Sequence, residues 1–159
     1  MNDRTLLRIG QPNRALRHLM RAVELEPDAV QNAHSCGRAL LAVGAYPVAL
    51  RALEHAAKLD PEHAFGDLLI DLARAQMRND LREAAEQTLA RHERRFGAAP
   101  TVDLMRAQIA VARDDPAQAR EFFSRAASKP PVATVISPRD RLARARARVG
   151  LLRLGGSTR

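Results

Sequence analysis

The chain repeats itself. Gly10 to Pro27 reads GQPNRALRHLMRAVELEP, and Gly44 to Pro61 reads GAYPVALRALEHAAKLDP. Eight of these 18 aligned positions are identical, at an offset of 34 residues. A period of this length means that the folding unit is small and is stacked rather than closed on itself. The frame is a turn residue, Ala five later, a large apolar residue four after that, Ala three later and Pro five later. It runs through Gly10, Ala15, Leu19, Ala22 and Pro27, then through Gly44, Ala49, Leu53, Ala56 and Pro61. A weaker copy is Asn79, Ala84, Thr88, Arg91 and Phe96, and a fourth is Asp114, Ala119, Phe123, Ala126 and Pro131.

Each station has a physical reason. Gly, Asn and Asp tolerate the tight turn between two helices. The Ala that follows has no bulk, so two helix backbones approach closely there. The apolar residue four later lies on the same face and fills the space beyond. Pro stops the unit, because it cannot continue a helix. Between Pro27 and Gly44, the positions Val30, Ala33, Cys36, Gly37, Leu40 and Leu41 recur at helical spacing. Much of the apolar content is Ala and Leu, aromatic residues are 3% and there is no Trp. That suits closely packed helices and suits strands poorly.

The stations resemble those of the tetratricopeptide repeat family. Residues 30–63 match best: Gly37, Leu40, Gly44, Tyr46, Ala49, Leu53, Ala56 and Pro61 fall at family positions, with Ala33 where Trp is usual and Cys36 where Leu is usual. Residues 114–131 match the second helix of the unit, with Pro116 where Tyr is usual. The third copy is degenerate, and its first helix aligns better one residue later, on Leu69, Leu72 and Ala73. The resemblance implies an all-α fold, a right-handed superhelical solenoid of antiparallel helix pairs. We expect three to four repeats and a C-terminal capping helix.

The expected organisation is a repeat array over 1–131, made of an incomplete first repeat 1–27, a repeat 28–63, a degenerate repeat 64–98 and a repeat 99–131. A connector follows at 132–138, then an Arg-rich amphipathic or capping helix at 139–154 and a disordered tail at 155–159. Only nine residues precede Gly10, too few for a full first helix. This is the expectation for a short first helix, for an array cut from a longer one, or for a repeat covered by a second copy.

The net charge of +8 is unevenly placed: residues 139–159 hold seven Arg and one Asp. Within 139–154, Leu142, Ala145, Val149 and Leu152 form one apolar stripe. Arg141, Arg144 and Arg148 flank it on one side, and Arg139, Arg146 and Arg153 on the other. A capping helix would use such a stripe to cover the last repeat. The alternative is docking on an anionic surface, either lipid headgroups or phosphates. No aromatic residues are interleaved, so base stacking is not expected, and nucleic acid is the less favoured of these surfaces. Arg outnumbers Lys throughout, which fits a GC-rich bacterial genome.

Catalytic patterns are missing from the sequence. There is no Gly-rich phosphate loop, no HExxH, no GxSxG and no metal-spaced Cys/His set. The expectation is no enzyme, no cofactor and no metal. Cys36 reads as a small buried hydrophobe. His18, His34, His55, His63 and His92 share no repeat station, and most of them read as scattered surface residues. Asp114-Asp115 lies at a repeat turn, where Asp favours turn geometry rather than acid–base work. No apolar run is long enough for a signal peptide or a membrane span, so the expected location is the cytoplasm.

What the resemblance implies for function is a protein–protein interaction scaffold. The first helix of each pair would line a concave groove that takes a peptide or helix of a partner. The groove stations are Gln31, His34, Arg38 and Leu41; then Leu69, Arg74 and Met77; then Leu104, Gln108 and Val111. Leu69 and Leu104 could equally be core. Some family members clamp a C-terminal carboxylate with Lys and Asn; His34 and Arg38 stand at those stations here, and Arg38 can pair bidentately with a carboxylate. Expected partners are another protein, a membrane surface through the C-terminal helix, or a second copy through the N-terminal repeat. The chain also reads as a regulatory or targeting module of a larger protein.

Overall fold

The computed structural model describes residues 12–128 and 137–156, with side chains from residue 16 to residue 155 of these. The expected helix before Gly10, the Gly10 turn, most of the connector and residues 157–159 lie outside the described residues. The described residues are helical, with no strand among them: α1 (Pro12–Leu25), α2 (Val30–Ala42), α3 (Tyr46–Leu59), α4 (Asp67–Arg78), α5 (Arg82–Phe96), α6 (Pro100–Ala112), α7 (Pro116–Ala127) and α8 (Pro138–Gly156). Among them no helix is long and apolar enough to cross a membrane.

Two compact units divide at His92, within α5. The first holds α1 to α4 and most of α5. Its core is Leu19, Cys36, Ala39, Leu40 and Ala49, joining α1, α2 and α3. A second cluster, Ala33, Leu53, Ala56, Leu68, Leu72 and Ala75, joins α2, α3 and α4. The second unit holds the end of α5 with α6, α7 and α8. There Leu104, Ala107, Ala110, Ala119, Phe123, Ala126, Ala143 and Ala147 form one core. Small residues make up half or more of each cluster, and they let neighbouring helices pack closely.

The turns show how the repeat is built. Gly44, Asp80 and Asp114 each adopt the left-handed conformation, at φ of 81°, 63° and 55°. In all three copies the next residue donates its amide back across the turn: Ala45 to Leu40 O at 3.0 Å, Leu81 to Gln76 O at 2.9 Å, and Asp115 to Ala110 O at 3.0 Å. This is the six-to-one bond that closes a helix in the Schellman manner.

The shared bond fixes the register of the degenerate copy. Its turn residue is Asp80, not Asn79. The frame therefore runs Asp80, Ala85, Leu89 and His92, not Asn79, Ala84, Thr88 and Arg91. Ala85, Leu89 and His92 are buried, like Ala49, Leu53 and Ala56 and like Ala119, Phe123 and Ala126. Upstream, the short turn His63–Gly66 carries Ala64, Phe65 and Gly66 in the left-handed region before α4 starts. His92 thus fills a station that is Ala in the other copies, which explains why a buried His was read as a surface one.

The helix α8 begins where Asp140 ties it to α6. Ser137 Oγ accepts from the Asp140 amide at 3.1 Å and donates to Asp140 Oδ2 at 2.8 Å. Ser137 thus caps the start of the helix, with Pro138 in the first turn. Asp140 Oδ1 in turn accepts from the Thr101 hydroxyl at 2.7 Å. The helix covers the last repeat, but with a different face from the expected one. Ala143, Ala147 and Gly150 turn inward. Leu142, Val149 and Leu152 of the expected stripe are exposed, at 51%, 48% and 76%. The cause is Phe123. A Cβ at Gly150 would lie 2.6 Å from its ring, so only a face of small residues seats over it. The helix continues through Gly155 and Gly156.

Candidate functional site

Three groove stations of the first unit, His34, Arg38 and Arg74, gather around a buried carboxylate, Asp71 on α4. His34 of α2 places Nε2 3.1 Å from Asp71 Oδ2. Arg38, one turn later, places Nε 3.5 Å from the same oxygen. Arg74 NH1 donates to Asp71 Oδ1 at 2.7 Å. His34 and Asp71 are 3% and 1% exposed, so this is an internal link between α2 and α4. The His63 ring meets the His34 ring edge-on, with centroids 5.3 Å apart. Sequence reading missed Asp71 because a single acidic residue in a helix normally faces water. Its one signal was a position three residues before Arg74.

The remaining stations of this unit divide. Gln31 is half-buried and donates to Ser35 Oγ at 2.7 Å. Leu41 packs against both core clusters, and Met77 is partly exposed. Leu69 is core, as the corrected register requires: it corresponds to Ala33, which is also buried. Cys36 is buried, and burial pushes its thiol up, so it remains protonated.

In the second unit the stations gather around a groove. Leu104, Gln108 and Val111 of α6 form one wall, and Ala145, Val149 and Arg153 of α8 form the other, with Phe123 and Gly150 between them. The groove has a volume of ≈ 570 Å³. Leu104 is mostly buried, while Gln108 and Val111 are exposed. The helix α8 brings Arg146 and Arg153 to the rim. Of the other tail arginines, Arg141 and Arg148 are exposed on α8, and Arg139 and Arg144 are partly buried. A small apolar trough with cationic edges can bind a side-chain row of another molecule. Among the described residues, its lining holds no nucleophile–base pair.

A second polar network joins α6, α7 and the end of α5. Arg106 NH1 donates to Glu93 Oε2 at 2.7 Å, and Arg125 NH2 lies 3.0 Å from Asp103 Oδ1. Both guanidinium groups stand over the Phe122 ring, at 5.9 Å and 5.3 Å from its centre. Such stacking supports a cation against an aromatic face. Burial pushes the Asp103 carboxyl above its ordinary value, more than Arg125 and Arg106 pull it down, and Glu93 pushes the same way as burial. Nothing in the repeat frame marks these residues.

Asp114 and Asp115 act as turn residues. Asp114 takes the left-handed position and Asp115 caps α7, accepting from the Gln118 amide at 2.9 Å. Among the described residues, no three His, Cys, Asp or Glu side chains gather as a metal-ion set.

No protein-family model matches the sequence, and no curated protein matches it significantly. Among solved structures, the chain is similar to a thermophilic TPR protein of Thermus thermophilus, at 20% identity and a TM-score of 0.73. The match covers 94% of this chain and 78% of that one. At this identity the likeness shows the fold, which is that of the tetratricopeptide repeats.

Proposed function

We propose that this chain, a tetratricopeptide-repeat fold, is a non-catalytic scaffold that binds a segment of another protein along the inner faces of its first-of-pair helices. The observation that carries the reading is the groove between α6 and α8. Three stations expected from the repeat, Leu104, Gln108 and Val111, line it together. Folds of this kind offer a surface for association rather than a reactive centre.

Crosslinking tests it. A photoreactive residue is placed at Gln108 or Val111, and for comparison at the exposed outer positions Arg51 of α3 and Arg120 of α7. Crosslinks to one protein from the inner positions alone support the reading. Equal crosslinking from Arg51 and Arg120 contradicts it.

A second reading has one observation in its favour. The exposed Leu142, Val149 and Leu152 stand between rows of arginine on α8, as in a helix that lies on an anionic membrane. Salt-sensitive sedimentation with anionic vesicles, lost on removal of residues 139–159, supports that reading.

A further inference from the structure

The apolar stripe of α8 is exposed at Leu142, Val149 and Leu152, and it does not stand alone. Ala145 and Val149 belong both to the stripe and to the groove wall, so the stripe runs into the trough beside α6. The exposed Val111 extends it from the other side. The apolar surface therefore spans two helices and has a depression along its middle.

Its charge is of one sign. Among the described residues, no carboxylate lines the groove. Arg146 and Arg153 reach its rim, and neither has a hydrogen-bond or ion-pair partner among the described residues. They are seven residues apart on one helix face, about 10.5 Å along the axis. Carboxylates elsewhere in this unit have partners of their own: Asp140 with Ser137 and Thr101, Asp115 with the start of α7, and Glu93 with Arg106.

We infer that this groove takes an amphipathic, acidic helix of another protein, laid between α6 and α8. Apolar residues of the incoming helix at i, i+3 or i+4, and i+7 fill the trough over Leu104 and Phe123. Two carboxylates seven residues apart on its flank meet Arg146 and Arg153. This inference rests on the scaffold reading and adds the chemistry of the partner.

The alternatives fit less well. A second copy carries the same arginines and the same net charge of +8, so a symmetric pairing through this face sets like charges against each other. A bilayer surface is flat, whereas Ala145 and Val149 sit in a depression walled by α6.

The test uses the full chain and a labelled synthetic peptide. The peptide is helical, with a leucine stripe flanked by glutamates, and its control carries lysines in place of the glutamates. Anisotropy titrations are run with the native chain, with Arg146→Glu/Arg153→Glu and with Val149→Asp. Arg146, Arg153 and Val149 are exposed, so circular dichroism should show the fold unchanged. The expected result is binding of the acidic peptide only, weakened about tenfold or more by either variant and by added salt. Equal binding of both peptides, binding unaffected by the variants, or no binding overturns the inference. So does binding of the chain to phosphatidylglycerol vesicles but not to peptide, or a dimer that Val149→Asp dissolves. If the acidic peptide fails while crosslinks from Gln108 and Val111 still reach a partner, the scaffold reading stands and this partner chemistry falls.

Discussion

Leu53 occupies the space that a side chain at Gly37 would need. A Cβ built there would lie 2.5 Å from Leu53 Cγ and 2.8 Å from Cδ2. Leu53 is fully buried between α2 and α4, so it has nowhere to move. Gly37→Ala gains helix propensity of about 1 kcal/mol but overpacks this crossing. The expected net effect is destabilisation of about 1–3 kcal/mol. Urea denaturation measures it. In a double-mutant cycle the pair Gly37→Ala/Leu53→Ala should be less destabilised than the sum of the single changes. Additive effects would mean that the two residues do not share the space.

The carboxylate of Asp71 holds α2 to α4, and its removal leaves His34 buried without its acceptor. Asp71→Ala should cost about 1–3 kcal/mol. Arg38 and Arg74 are half-exposed and regain water, so they add little. Arg38→Gln should be nearly neutral. Arg38→Glu should destabilise, because it sets a second carboxylate beside Asp71. An unchanged denaturation midpoint for Asp71→Ala would remove this link from the account.

Asp103 gives a pH dependence with a definite sign. Its folded-state carboxyl is raised above the ordinary value of 3.8, chiefly by burial. The stability this group contributes is full below the unfolded value and is lost as pH rises through the higher folded value. Asp103→Asn cannot ionise. Its stability relative to the native chain should therefore improve as pH rises from about 4, in urea midpoints taken across the acid range. Parallel curves would contradict the shift.

Phe65 is strained and unpacked at once. Its φ of 53° follows Ala64 at 55°, and its side chain is 93% exposed. A bulky residue in that region costs on the order of 1–2 kcal/mol relative to Gly. Phe65→Gly should raise the melting temperature, by an amount equivalent to about 1 kcal/mol or less once the chain entropy of Gly is set against it. A drop in melting temperature would show that the ring makes a contact that stabilises the turn.

The fold was legible because the turn stations are chemically distinctive. Gly44 and Asp114 tolerate left-handed backbone, and Ala49, Leu53 and Ala56 carry the small–large–small order that close helix crossings need. Register was lost where that chemistry thinned. Asn79 and Asp80 are both good turn residues, and only the hydrogen bond from Leu81 to Gln76 selects Asp80. Leu69, which the sequence left open between groove and core, is the buried counterpart of Ala33. The Asp71 link was invisible for a different reason. Its partners lie 37 and 33 residues upstream, at His34 and Arg38, and pairing at that distance follows no local period. On α8 two apolar faces competed. Leu142, Val149 and Leu152 are bulkier, but the Phe123 ring admits only the face of Ala143, Ala147 and Gly150.

Chemical-shift mapping of the full chain against the acidic amphipathic peptide tests the central claim most directly, because it reads where the peptide sits. The predicted result is a contiguous set of perturbations at Leu104, Gln108 and Val111 on α6 and at Ala145, Val149 and Arg153 on α8. Perturbations confined to outward positions such as Arg51 on α3 or Arg120 and Glu121 on α7, with α6 and α8 silent, would contradict it.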